Sequence, residues 1–310
     1  MAMSDAYGHS DRDESLATIH AALDAGITLL DAGDFYGMGH NEVLLREALS
    51  GRDREEVQIS VKFGGQRSPD GAFLGFDGRP AAVKTSLAYS LQRLGVDYID
   101  VYRPARLDPQ VPIEDTVGAI KEMIDAGYVR HVGLSEVGAE TIRRAHAVHP
   151  VSDLQIEYSL ISRGVEGEIL RTLRELGIGL TAYGVLSRGL ISGHWSPDSG
   201  GAADFRSRYP RFSGGNLDRN LALVERLRKV AAELGASVAQ VAIAWVAAQG
   251  NDIVPLVGAR TRQRLTEALG AVDVELTDEQ LVAIESAVPN GAAAGDRYEA
   301  AQMAMLDSER

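Results

Sequence analysis

From Ser10 onward, short runs rich in β-branched residues alternate with longer amphipathic stretches, and this alternation constrains the fold more than any other feature of the chain. The runs predict strands over 27–31 (ITLLD), 57–62 (VQISVK), 99–103 (IDVYR), 130–134 (RHVGL), 153–157 (DLQIE), 178–183 (IGLTAY) and 252–257 (DIVPLV). Between them the apolar periodicity predicts helices over 11–25, 41–50, 79–94, 113–126, 139–148, 165–176 and 217–249, the last broken at Gly235. Gly26, Gly95, Gly127 and Gly177 stand where helix C-termini should fall. Strand–helix alternation of this kind implies a parallel sheet in an α/β fold. The expectation is a (β/α)8 TIM barrel whose first strand is absent or strongly shortened at the N-terminus, because nothing strand-like precedes the helix that starts near Ser10. A doubly wound open sheet would bring a G-x-G-x-x-G turn after its first strand, and the sequence has none.

Residues 1–310 read as a single domain, with no repeat, low-complexity tract or long linker. Segment 190–216, rich in Gly, Ser, Arg and aromatics, is too long for an ordinary connection and is expected to lie over the C-terminal face of the barrel. Its Trp195, Phe205 and Tyr209 could line a pocket or pin the loop to the rim. The absence of cysteine excludes disulfides, thiolate catalysis and cysteine-ligated metals. With 31 basic and 44 acidic residues, the net charge of −13 disfavours nucleic-acid binding. No apolar stretch reaches the roughly 18 residues of a membrane-spanning helix, and Met1–Ser10 has no signal-peptide pattern, so a cytoplasmic location without membrane attachment is expected. His146 and His149 have metal-pair spacing but no third ligand, and no metal is expected. The oligomeric state is open.

On a barrel, chemistry belongs at the C-terminal strand ends. The string "DAGDFYGMGHNE" places Asp31 at one such end and Tyr36 in the loop after it, while Lys62 closes the next predicted strand. Singly, each has an ordinary structural explanation: a capping carboxylate, a rim aromatic, a solvated strand end. Together, an ammonium beside a phenol favours the phenolate, and a carboxylate keeps the ammonium charged and oriented, which makes Tyr36 a usable general acid.

The ordered strings "LLDAGDFYGMGHNEVLLREAL", "ISVKFG", "DYIDVYRPARLDPQVPIEDTVGAI", "GYVRHVGLSEV", "LQIEYSLISR", "TAYGVLSRGLISG", "DFRSRYPRF" and "AIAWVAAQGNDIVPLVGARTRQRL" cover nearly all of residues 1–290. They resemble successive motifs of the aldo-keto reductases, in particular the bacterial and plant branch acting on varied carbonyl compounds. The resemblance implies a (β/α)8 barrel that reduces a small-molecule aldehyde or ketone with NADPH. It also implies that Asp31, Tyr36 and Lys62 are three members of the catalytic tetrad, with Tyr36 the proton donor. The fourth member, usually histidine, is replaced by Ala105 in "YRPARLDP". Neither His9 nor His40, both in mouth-side loops, is expected to substitute for it, whereas Arg103 or Arg106 could polarise the carbonyl instead.

By the same resemblance, Ser135 and Gln155 would hold the nicotinamide carboxamide and Tyr183 would stack on its ring, with Glu136 where asparagine is usual. Gly184, Leu186 and Arg188 would follow the cofactor along the next loop. Gly258 would line the cofactor, Arg260, Arg262 and Arg264 would meet the adenosine 2′-phosphate at a helix start, and Glu267 the adenine, with Ala268 in place of the usual asparagine. The missing histidine also admits an NADP(H)-binding sensor or regulatory subunit with little turnover. A barrel glycosidase using Asp31 and Asp34 is a third alternative, which the arginine cluster does not support.

Overall fold

The computed structural model describes residues 3–4, 10–195 and 205–310, the side chain of Phe205 excepted. Among the described residues, seven strands form one all-parallel curled sheet: β1 (Leu29–Gly33), β2 (Gln58–Phe63), β5 (Ile99–Pro104), β6 (Val129–Ser135), β7 (Val151–Glu157), β8 (Gly179–Tyr183) and β9 (Ile253–Pro255), adjacent in that order. A separate antiparallel hairpin, β3 (Gly65–Arg67) with β4 (Phe73–Phe76), rises from the end of β2. Among the described residues no strand precedes β1, so β1 and β9 are the sheet's two edges. The predicted strands match the seven to within a few residues. The hairpin was not anticipated, because "GGQRSPDGAFLGF" carries no clear alternation.

The helices are α1 (Arg12–Asp24), α2 (His40–Ala48), α3 (Pro80–Leu94), α4 (Ile113–Asp125), α5 (Ala139–Val148), α6 (Glu168–Leu176), α7 (Gly214–Glu233), α8 (Val238–Ala247), α9 (Arg262–Leu269), α10 (Asp278–Ala287) and a short α11 (Ala300–Met303). Neighbouring helices α1 to α6 pack pairwise around the sheet, and α1 also packs on α9. The helical layer therefore bridges the side where the sheet has its two free edges. Arg262 strengthens that bridge, its Nη2 lying 2.9 Å from Glu14 Oε2 on α1. The break expected at Gly235 separates α7 from α8, and Ser237 caps α8 in a reciprocal capping box with Gln240. Helix α8 is buried through Trp245, which explains its nearly all-apolar sequence. Among the described residues no single helix is long and apolar enough to cross a membrane.

Alternate strand residues face outward to the helices, as Tyr102 does in donating to Val83 O on α3. Val61, Tyr102, Leu134 and Leu154 belong to the apolar core. Facing the other way is a polar layer in which Arg103 donates to Ser60 Oγ (3.0 Å) and pairs with Asp153 (3.0 Å), while Thr181 donates to Asp153 (2.6 Å). Gly133 makes room for it: a Cβ there would stand 2.8 Å from Asp153 Oδ1 and 3.2 Å from the guanidinium carbon of Arg103. Arg103 is thus enclosed inside the barrel, bonded to the strands around it, and does not reach a carbonyl at the mouth.

Candidate active site

Asp31, Tyr36 and Lys62 converge. Asp31 and Lys62 lie on adjacent strands, and parallel pairing sets Gly33 opposite Lys62. The Lys62 ammonium donates to Asp31 Oδ2, and Asp31 Oδ1 accepts from Ser60 Oγ at 3.1 Å and from Gln155 Nε2 at 2.8 Å. Burial works to raise the Asp31 carboxyl, but Lys62 and Arg103 prevail and hold it below its ordinary range. Burial lowers Lys62, with Arg103 and Arg106 adding to the effect and Asp31 opposing it. The lysine side chain is 5% exposed, so the ammonium is poised by its protein neighbours and little by water.

The Lys62 Nζ stands 5.0 Å from the centroid of the Tyr36 ring. That ring lies over Gly33, where a Cβ would come within 3.3 Å of it, and meets Phe35 edge-on at 4.9 Å. The loop carrying it is tied to β2 by the Asp34 amide donating to Lys62 O at 2.9 Å. Asp34 itself is pushed up to about 7 by burial, the nearby Glu42 adding to the rise.

Ala105 is buried at 1% exposure, and its amide donates to Phe63 O at 2.8 Å. The next side chain crosses the strand ends: Arg106 Nη1 donates to Ala105 O at 2.6 Å and to Ser135 Oγ at 3.4 Å, and Nη2 to the Tyr298 hydroxyl at 3.5 Å. His40 is exposed at the start of α2, its Nδ1 3.1 Å from Ser4 Oγ, and His9 lies outside the described residues. His131 is exposed on β6, His146 Nδ1 accepts from the Val151 amide, and no metal-binding group occurs among the described residues.

Ser135 and Gln155 stand side by side in the β6–β7 register, and Tyr183 pairs with Glu157 at the ends of β7 and β8. Glu136 points to Tyr183 and the C-terminal segment. Arg297 clasps it with both terminal nitrogens (2.8 and 2.6 Å), and Tyr183 OH (2.7 Å), Ser308 Oγ (2.7 Å) and the Glu157 amide (3.0 Å) also donate to it. Burial would raise its carboxyl, yet Arg297, then Arg106 and Tyr183, hold it at about 2. Its left-handed backbone, φ 55°, is unusual for a glutamate and is held in place by these bonds.

Beyond Tyr183, Gly184 (φ 68°) turns the chain, Leu186 packs on the core, and Arg188 (φ 57°) bonds Glu157 at 3.3 Å while lying over the rings of Tyr209 and Tyr298. Tyr209 meets Tyr298 edge-on at 5.7 Å, so it faces the mouth, whereas Trp195 packs on Phe212 at 5.0 Å and pins the loop. Arg211 joins Glu157 and Ser162 from the same loop. Gly258, Arg260 and Arg264 fall at the β9–α9 turn. Arg262 is taken by Glu14, and Arg264 lies 3.0 Å from Glu267, which also meets His194 at 2.8 Å.

Arg297, Tyr298 and Ser308 were not anticipated. They lie in a stretch after α10 without periodicity, where the only signal was a charged–aromatic pair, "DRY", set in small residues.

The model of the Aldo/keto reductase family matches residues 1–289. The chain is 40% identical over 301 residues to a probable aldo-keto reductase 1 of Glycine max, covering 96% of this chain and 86% of that protein. A solved structure of the glycerol dehydrogenase from Gluconobacter oxydans superposes with a TM-score of 0.83 at 29% identity over 92% of this chain and 88% of its own. A thermostable aldo-keto reductase solved with the inhibitor epalrestat has a TM-score of 0.72 at 24% identity over 91% and 92% of the two chains, a likeness of fold.

Proposed function

The chain belongs to the aldo/keto reductase family, and from that membership and the residues at its mouth we propose that it reduces an aldehyde or ketone to the alcohol with NADPH, Tyr36 giving the proton. Members of the family are oxidoreductases that act on carbonyl groups and generally use nicotinamide cofactors. The observation that carries the finer reading is the cluster of Asp31, Lys62 and Tyr36 at neighbouring strand ends.

The donor set fits a nicotinamide cofactor on its own chemistry. Gln155 commits its Nε2 to Asp31, which leaves its side-chain oxygen to accept from a carboxamide, with the Ser135 hydroxyl beside it. Tyr183 keeps its proton, since burial and then Glu136 raise it well above the ordinary phenol, and the bond to Glu136 fixes the ring. NADPH, when bound, supplies hydride from nicotinamide C4. Asp31 anchors Lys62; Lys62 stabilises negative charge developing on Tyr36; Tyr36 protonates the substrate oxygen. Arg260 and Arg264 at the start of α9 favour the phosphorylated cofactor.

The methyl side chain of Ala105 cannot donate a hydrogen bond, which favours a modest turnover and supports, as a second reading, a cofactor-binding sensor. Fluorescence titration with NADPH and NADH, followed by a carbonyl panel with the tighter cofactor, separates them. Tight NADPH binding with alcohol formation is expected. Tight binding without turnover of any carbonyl would favour the sensor, and no binding of either nucleotide would remove both readings.

A further inference from the structure

Most of the arginines and lysines described around the mouth are matched by a carboxylate. Lys62 has Asp31 and Arg103 has Asp153; Arg188 and Arg211 share Glu157; Arg297 holds Glu136 and Glu309. Arg106 has no carboxylate at ion-pair distance among the described residues. Its acceptors, Ala105 O, Ser135 Oγ and the Tyr298 hydroxyl, are all neutral. It is half-buried across the ends of β5 and β6. Glu136 acts on it at longer range, and Arg106 in turn lowers Lys62. A half-enclosed guanidinium with neutral partners has lost hydration without gaining a counter-ion, an arrangement that favours an incoming anion.

The cofactor is a poor source for that anion. On the proposed function, the Ser135 hydroxyl that Arg106 touches adjoins the nicotinamide carboxamide, the uncharged end of the molecule, whereas the phosphates are directed toward Arg188 and the β9–α9 turn. The anion therefore belongs to the substrate. We propose that Arg106 forms an anion subsite, so that the preferred substrates are carbonyl compounds bearing a carboxylate, held by Arg106 while the carbonyl oxygen faces Tyr36. The inference rests on the reductase reading. Tyr298 is a positioning residue here, its hydroxyl bound to both Arg106 and Tyr183 (2.9 Å).

The test pairs 3- and 4-formylbenzoate with their methyl esters, using NADPH and the full chain. The ester group activates the aldehyde at least as well as the carboxylate does, so a preference for the acid reports recognition of charge. The wild type is expected to show kcat/KM about tenfold or more higher for at least one acid than for its ester, the scale of a charge-assisted hydrogen bond. The ratio should fall toward one in Arg106→Gln and recover in part in Arg106→Lys, with thermal melts confirming that both variants fold. Raising the salt concentration should shrink the wild-type ratio and leave the Gln variant's ratio unmoved. Reduction of the esters with no preference for either acid, or a preference that survives Arg106→Gln, overturns the subsite while the reductase reading stands. An Arg106→Gln variant that loses NADPH affinity with the ratio intact assigns the arginine to the cofactor and likewise overturns it. If no formylbenzoate or ester is reduced while another carbonyl of the panel is, the subsite falls and the reductase reading stands; if no carbonyl is reduced, both fall.

Discussion

The two sides of the barrel mouth are built from different stretches of chain. On the β1–β2 side, Asp31, Tyr36 and Lys62 meet through one parallel strand pair and one loop, with Lys62 only 31 residues from Asp31. On the β6–β8 side, the strand-end residues are finished by the C-terminal tail: Glu136 meets Arg297 across 161 residues, Tyr183 meets Tyr298 across 115 and Ser308 meets Glu136 across 172. The first side concentrates residues suited to moving a proton. The second concentrates charge that fixes the Tyr183 ring. On the proposed function, the reacting groups are held by the barrel itself, whereas the Arg106 subsite leans on Tyr298 of a tail that the barrel strands do not specify.

The largest expected effect lies on the first side. Tyr36→Phe should lower kcat by about 100- to 10,000-fold, the range of a lost general acid, while NADPH affinity measured by fluorescence stays nearly intact. Unchanged turnover would remove Tyr36 from the chemistry and break the division between the two sides. On the second side, Arg297→Met leaves Glu136 buried without its bidentate partner and should cost about 3 kcal/mol in denaturant unfolding at neutral pH. The Glu136 carboxyl is depressed, so its contribution is full above about 4.5 and disappears as pH falls toward about 2. The difference between wild type and variant should therefore narrow over that window. A difference that does not change with pH would mean that the clasp acts through packing.

How much of this was legible in the sequence follows the same line. The strand–helix alternation located the seven strands of the sheet, and it put Asp31 and Lys62 near strand ends with Tyr36 in the loop after β1, because a parallel α/β pattern dictates where strands end. Glu136, set where the family pattern has asparagine, was marked as a departure, but its partner could not be named. Nothing local to "LSEVG" or to "AGDRYEA" encodes a contact between segments 161 residues apart. Arg103 illustrates the converse: its strand position was clear, yet its role inside the barrel depends on the space left by Gly133 on the neighbouring strand.

Smaller effects sharpen the contrast. Arg260→Ala combined with Arg264→Ala should weaken NADPH about tenfold and NADH far less, because only the former carries the 2′-phosphate; equal losses in a titration would place the cluster outside the cofactor site. Asp34 should leave the mildest signature. Its carboxyl is raised to about 7, mainly by burial, so its contribution to stability is full below 3.8 and is lost as pH rises through about 7. Asp34→Asn should flatten the fall in melting temperature between pH 4 and pH 8, and an unaltered pH profile would show that the wild-type carboxyl is ionised throughout.

The central claim is that this mouth passes a hydride to a carbonyl and a proton from Tyr36 to its oxygen. It is tested most directly by incubating wild type and Tyr36→Phe with an aldehyde and NADPH carrying deuterium at both nicotinamide C4 positions, then weighing the alcohol. The wild type should yield alcohol heavier by about one mass unit, as direct transfer from the cofactor requires, and the variant should yield the same labelled alcohol far more slowly. Unlabelled alcohol, or equal rates from the two proteins, would contradict the account.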